Sequence, residues 1–148
     1  MSTTVGDLLR IKGSAVETIT AEQTVLEAIR RMEQKHIGCL AVVTKTGKLS
    51  GIVSERDCLW KIVAAGKSPK THLVKDAMTP LRQMQTVTPA HTVEDCMALI
   101  SGRRHRHLPV LEGGKLAGMV SIGDVVKTLL DAQQATIDSL EKYITGTF

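Results

Sequence analysis

Apolar residues change their spacing along this chain in a regular way, and the changes mark out its elements. Val25, Ala28, Ile29 and Met32 recur at helical spacing behind Thr24-x-x-Glu27, which reads as a capping box. Val93, Cys96, Met97 and Ile100 do the same behind Thr92-x-x-Asp95. Each helix is followed by a short β-rich apolar run, "CLAVV" or "LPVL", then a turn, "KTGK" or "EGGK", and a second run, "LSGIVS" or "LAGMVS". A further helix starts at Glu55 in one case and at Ile122 in the other, the latter extending to about Tyr143. Short strands near Thr18 and Thr86 open each series, and "VGDLL" near the start forms a short helix.

These series are two copies of one pattern. Thr18 aligns with Thr86, Thr24 with Thr92 and Leu40 with Leu108, all 68 residues apart; Lys48 aligns with Lys115 and Gly51 with Gly118, 67 apart. The lost residue falls in the hairpin turn, which tolerates it. Each copy reads strand, helix, strand, hairpin, strand, helix. The predicted organisation is an N-terminal segment (1–15), a first motif (16–65), a linker (66–83) with one helical turn near Val74 to Met78, and a second motif (84–148) ending in a long helix. A half of about 60 residues buries too little apolar surface to stand alone. The halves are therefore expected to pack sheet to sheet as a pseudo-two-fold α+β pair, leaving two clefts between them.

Both copies carry Gly, two apolar residues, Ser, two variable residues and Asp: "GIVSERD" (51–57) and "GMVSIGD" (118–124). One reading is helix capping, Ser at the cap and Asp reaching back to its backbone N–H. The other is a ligand site. A Gly inside a strand implies that something comes close to the backbone. The strand-to-helix junction favours an anion, and a carboxylate there can accept both hydroxyls of a cis-diol such as that of ribose. Capping and binding can coexist.

With its tandem repeat, "TVTPAHTV", "GIVSERD" and "RHLPVLEGGKLAGMVSIGD", the chain resembles the CBS-domain pair, or Bateman module, over nearly all of residues 16 to 130. The resemblance implies adenine-nucleotide binding, with ribose held by Ser54 and Asp57 in one cleft and by Ser121 and Asp124 in the other. It assigns the adenine slot to Thr18, Ile19, Ile52 and Val53, and in the second copy to Thr86, Val87, Met119 and Val120. It puts AMP and NAD(H) first as ligands, then ATP, ADP and S-adenosylmethionine, and it implies a homodimer.

Charge adds one feature. Part of the net +4 is concentrated in "RRHRH" (103–107). Three uses stay open: a solvated run, DNA contact, and a phosphate-binding edge of Arg103, Arg104, Arg106 and His107, the last favoured by placement just before "LPVL" and by the planar fork of arginine. The first copy has Gly38 and Cys39 where Arg106 and His107 stand, so the two clefts are chemically unequal; Lys35, His36 and Arg56 are its minor basic candidates.

Composition then narrows the classes. Trp60, Tyr143 and Phe148 are the whole aromatic set, too few for the stacking platforms of single-strand nucleic-acid binders. No apolar run reaches the ~20 residues of a membrane span, and the N-terminus lacks the order of a secretory signal; the expected compartment is the cytoplasm. Cys39, Cys58 and Cys96 sit among apolar residues and read as reduced core thiols. The paired His105 and His107 alone make no metal site, and no catalytic constellation is recognisable. The expectation is a non-catalytic nucleotide sensor, against a structural or partner-binding module with vestigial sites and, more remotely, a DNA-binding protein.

Overall fold

The structure, a computed structural model, describes residues 3–102 and 106–146. Its elements follow the repeat. In the first half β1 (Thr18–Ile19), α2 (Val25–Lys35), β2 (Cys39–Val43), β3 (Leu49–Ser54) and α3 (Glu55–Asp57) succeed α1 (Val5–Lys12). Helix α3 runs on into a π-helical stretch, Cys58–Val63. The second half contains α5 (Val93–Ser101), β5 (His107–Glu112), β6 (Lys115–Ser121) and α6 (Ile122–Thr145). Between them lie α4 (Val74–Ala77), β4 (Thr79–Pro80) and a 3₁₀ turn, Leu81–Gln83. No helix of the described residues is long and apolar enough to cross a membrane.

The first sheet has the order β1-β2-β3-β4, with β1 parallel to β2 and the other pairs antiparallel. The second sheet is reduced to β5 and β6. The strand expected near Thr86 survives only as a parallel bridge between Val87 and Val110. The cause is one residue. In the first half the Ala41 N–H donates to the Glu17 carbonyl at 3.1 Å; the matching position is Pro109, which has no N–H to donate. Capping follows the sequence closely. Thr92 and Asp95 form a reciprocal box. Thr24 also caps α2, but the Glu27 carboxylate accepts from the Gln23 amide at 2.9 Å instead of reaching back.

The short flanking helices tie the halves together by exchange. Helix α1 precedes the first half but packs on the second: the Val5 N–H donates to the His91 carbonyl, and Val5, Leu8 and Leu9 join Val93, Val110, Val120 and Val125 in one core. Helix α4 precedes the second half but completes the first: the Val74 N–H donates to the Gln23 carbonyl, and Val74 and Ala77 join Ile19, Val25, Leu40 and Val53. "VGDLL" and "VKDAM" are thus a further repeated element, too short to stand out in the sequence. The linker segment is structural, since it supplies α4 and the edge strand β4. All three cysteines are buried and free. Burial, helped by the charge of Asp57, pushes the Cys39 thiol up to about 12.

Candidate functional site

Both Ser-x-x-Asp motifs close reciprocal capping boxes. The Asp57 N–H donates to Ser54 Oγ at 3.1 Å, and the Ser54 N–H donates to Asp57 Oδ2 at 3.0 Å. In the second copy the Asp124 N–H donates to Ser121 Oγ at 3.1 Å and the Ser121 N–H to Asp124 Oδ2 at 2.9 Å. The glycine before each serine also has an internal reason. A Cβ on Gly51 would lie 2.2 Å from the Thr79 carbonyl oxygen of β4, and one on Gly118 would lie 2.7 Å from a methyl of Leu9 on α1. The close approach read from these glycines is therefore made by the exchanged segments and not by a ligand. Capping leaves each carboxylate with acceptor capacity to spare, and there the copies part.

In the first copy the remaining oxygen of Asp57 faces Lys61 Nζ at 3.1 Å, one turn on. A cavity of about 320 Å³ opens beside it. Ile52, Ser54, Asp57, Trp60 and Lys61 line it from the first half, Thr79 and Gln83 from the linker, and Arg106 and His107 from the second half. Strand alternation explains the first-half part: Ile52 and Ser54 point to one face, whereas Val53 points into the core. The crossing pair is placed by β5, which begins at His107 paired with Ser121, and by the Ile122 N–H donating to the Arg106 carbonyl at 2.8 Å. Burial holds the His107 imidazole below its ordinary pKa, with Asp124 opposing and Lys12 reinforcing that shift.

In the second copy the lysine comes from another element. Lys12, at the end of α1, donates to Asp124 Oδ2 at 2.5 Å and to the Met119 carbonyl at 2.8 Å. Burial works to raise the Asp124 pKa, but the Lys12 ammonium and the Ser121 N–H outweigh it and hold the carboxyl below its usual value. The nearby recess, about 380 Å³, runs between α1 and α6 along Leu8, Ile11, Lys12, Asp124, Lys127 and Thr128; Ser121 and Met119 stand outside it.

The expected adenine residues divide. Ile52 lines the first cleft and Met119 is half-buried near the second. Ile19, Val53, Val87 and Val120 do not line either recess: all are buried in the two cores, because alternation turns them toward the helices. Thr18 and Thr86 are half-buried and outside both linings; the Thr18 carbonyl accepts from Arg31. Arg106 and His107 reach the first cleft, while Arg103 and Arg104 lie outside the described residues. Lys35 pairs with Glu17 at 3.7 Å, and His36 takes the left-handed cap of α2, beside a separate recess between α2 and α3. Arg56 lies over the Trp60 ring at 5.6 Å from its centre. Trp60, Thr79 and Gln83 went unread in the sequence. For Trp60 the available signal was its position one turn beyond Asp57.

Comparison with known proteins gives a consistent result. The family model described as "CBS domain" matches residues 5–64 and 74–131. The mitochondrial CBS domain-containing protein CBSX3 of Arabidopsis thaliana is 38% identical over 154 residues, covering 99% of this chain and 74% of that protein. A candidate signal-transduction protein with CBS domains from Burkholderia ambifaria superposes with a TM-score of 0.82 at 41% identity, over 88% of this chain and 96% of that one. The CBS-domain protein ATU1752 of Agrobacterium tumefaciens gives 0.79 at 36% identity, over 86% and 94%.

Proposed function

The chain belongs to the CBS-domain family as a tandem pair forming one regulatory, signal-transducing module, and from that premise we propose that it senses an adenine nucleotide in the Ser54–Asp57 cleft. The observation that carries this reading is the composition of the 320 Å³ cavity. Its size suits a small ligand. It offers Asp57 and Ser54 for a ribose diol, Ile52 and Trp60 for a purine face, and Arg106 with His107 for phosphate, with a second carboxylate, Glu55, also in the lining. Because the two ends come from different halves, a bound nucleotide bridges them. It thereby favours whichever arrangement of the halves it fits better, the requirement for a ligand to act as a signal. The reading is of binding and regulation in the cytoplasm, without catalysis, by a protein that works as a homodimer.

The second cleft favours the rival reading, a structural module with a vestigial site, because Lys12 comes across from α1 to hold Asp124 and neither Ser121 nor Met119 lines the recess beside it. One set of measurements separates the two. Titration calorimetry and thermal melts with AMP, NAD, ATP, ADP and S-adenosylmethionine are expected to show binding of one adenylate per chain. At about 100 times the dissociation constant it adds about 2.7 kcal/mol of stability. No heat and no melting shift with any of these would overturn the nucleotide reading in favour of the structural one, and a steep salt dependence of DNA retention would favour the more remote DNA-binding reading.

A further inference from the structure

The C-terminal part of α6 leaves the body of the protein. Val125 is its one buried residue, and every described residue from Leu130 onward is exposed. That stretch, Leu130 to Thr145, is about 24 Å long at 1.5 Å per residue. None of its described residues is buried, and burial of one face is what normally stabilises a helix of this length.

Its exposed face is patterned. Val126, Leu130, Ile137, Leu140 and Ile144 are between 39% and 80% exposed. With Gln133 they follow one another at steps of four, three, four, three and four residues. This is the 3.5-residue spacing of a coiled-coil seam, with one polar position. The opposite face carries Asp131, Gln134, Asp138 and Lys142. Near the body the seam borders a recess where Leu129, Gln133 and Ile137 face Glu94 at the start of α5.

We propose that this seam pairs with the same helix of a second copy, running antiparallel about Ala135. The seam is complementary to itself in that direction. Val126 meets the partner's Ile144, Leu130 meets the partner's Leu140, and Gln133 meets the partner's Ile137, leaving no apolar seam position uncovered. Lys127 then lies beside the partner's Glu141, and the symmetry repeats that contact. A parallel pair would set Gln133 against the partner's Gln133, which suits the two amides, so the direction rests on charge. It would also bring Lys127 and Glu141 toward the partner's Ile122 and the partner's Thr136, with no charge contact. The proposal places the interface on this helix and gives it a direction, neither of which nucleotide binding requires.

Sedimentation equilibrium of the full chain tests it. The wild type is expected to be a dimer at tens of micromolar. Leu130→Glu with Ile137→Glu should weaken association about a hundredfold or more, while the circular dichroism and melting of the body persist because both residues are outside the core. Lys127→Glu alone and Glu141→Lys alone should each weaken association a few-fold, and together restore it. A monomeric wild type, including one that instead sediments with vesicles or another protein, overturns the proposal. So does a dimer that is indifferent to the seam substitutions, and charge variants that fail to compensate overturn the antiparallel arrangement on which it stands.

Discussion

The two clefts contain the same motif, capped in the same way, and yet they are different places. Beside Asp57 there is a cavity into which the opposite half sends Arg106 and His107. Each carboxylate holds a lysine that also donates to a backbone carbonyl, but Lys61 comes from the helical turn after Asp57 and lines that cavity, whereas Lys12 reaches Asp124 from α1, across the fold. The residues responsible are outside the motif. Lys12 reaches Asp124 because α1 crosses to the second half, whereas the corresponding crossing by α4 brings the neutral Thr79. The positions matching Arg106 and His107 are Gly38 and Cys39, which supply no cation. A duplicated motif therefore fixes the local geometry twice, while residues brought from elsewhere, Lys12 on α1 and Arg106 and His107 on the opposite half, make the surroundings different.

The largest test of this asymmetry is to remove each carboxylate in turn. Asp57→Ala should weaken nucleotide binding by about 2–3 kcal/mol, or 30- to 150-fold, through loss of charge-assisted bonds to ribose. Asp124→Ala should leave the affinity within about twofold. Both should lower stability by around 1 kcal/mol through the lost cap. Titration calorimetry beside denaturant melts reads both quantities. Equal losses of affinity would mean that the clefts are equivalent in solution.

A smaller effect is expected at the basic edge. Arg106 is exposed, so a bond from it to phosphate would be screened by solvent. Arg106→Ala should weaken AMP binding about tenfold and adenosine binding hardly at all, a difference measurable by the same titration. An equal loss for adenosine would show that Arg106 acts on the shape of the cleft and not on phosphate.

Removing the internal cation should bring the clefts closer together. In Lys12→Ala the Asp124 carboxylate keeps its cap but loses its lysine. Stability should fall by less than about 1 kcal/mol, since this ion pair is partly exposed. A second, weaker nucleotide should then bind, raising the stoichiometry from one to two per chain. A stoichiometry that stays at one would mean the second cleft is closed by its shape and not by Lys12.

Much of this was legible in the sequence, and what was not has identifiable causes. The repeat, the helices, the hairpins and both caps follow from spacing and local chemistry, which act over a few residues. The loss of the strand at Thr86 also has a local cause, Pro109, but its effect is on a neighbour far along the chain. The exchange of α1 and α4 is non-local, and its elements, eight and four residues long, carry little periodicity of their own. The placement of Lys12 depends on that exchange, while the contrast of Arg106 and His107 with Gly38 and Cys39 does not. The sequence indicated unequal clefts through Gly38 and Cys39 but gave no sign of Lys12, 112 residues from Asp124. The glycines show the limit in another way: a close approach was correctly inferred, but what approaches depends on the packing of distant segments.

The smallest expected effect concerns His107, whose pKa burial holds below 6.5 in the free protein, so that it is mostly neutral near pH 7. Phosphate beside the ring favours the charged form, so binding should take up a proton. NAD is the suitable ligand, because its diester phosphates do not titrate near neutrality. Affinity for NAD should rise a few-fold as pH falls from 8 to 6, and His107→Gln should flatten that dependence. Stability without ligand should move the other way. A histidine whose folded pKa is depressed contributes fully above its unfolded value of about 6.5, and that contribution is lost as pH falls through the window below. Acidification would thus loosen the free protein while tightening its hold on the nucleotide. The second cleft should show no matching gain, because Cys39, the counterpart of His107, stays an uncharged buried thiol throughout this range.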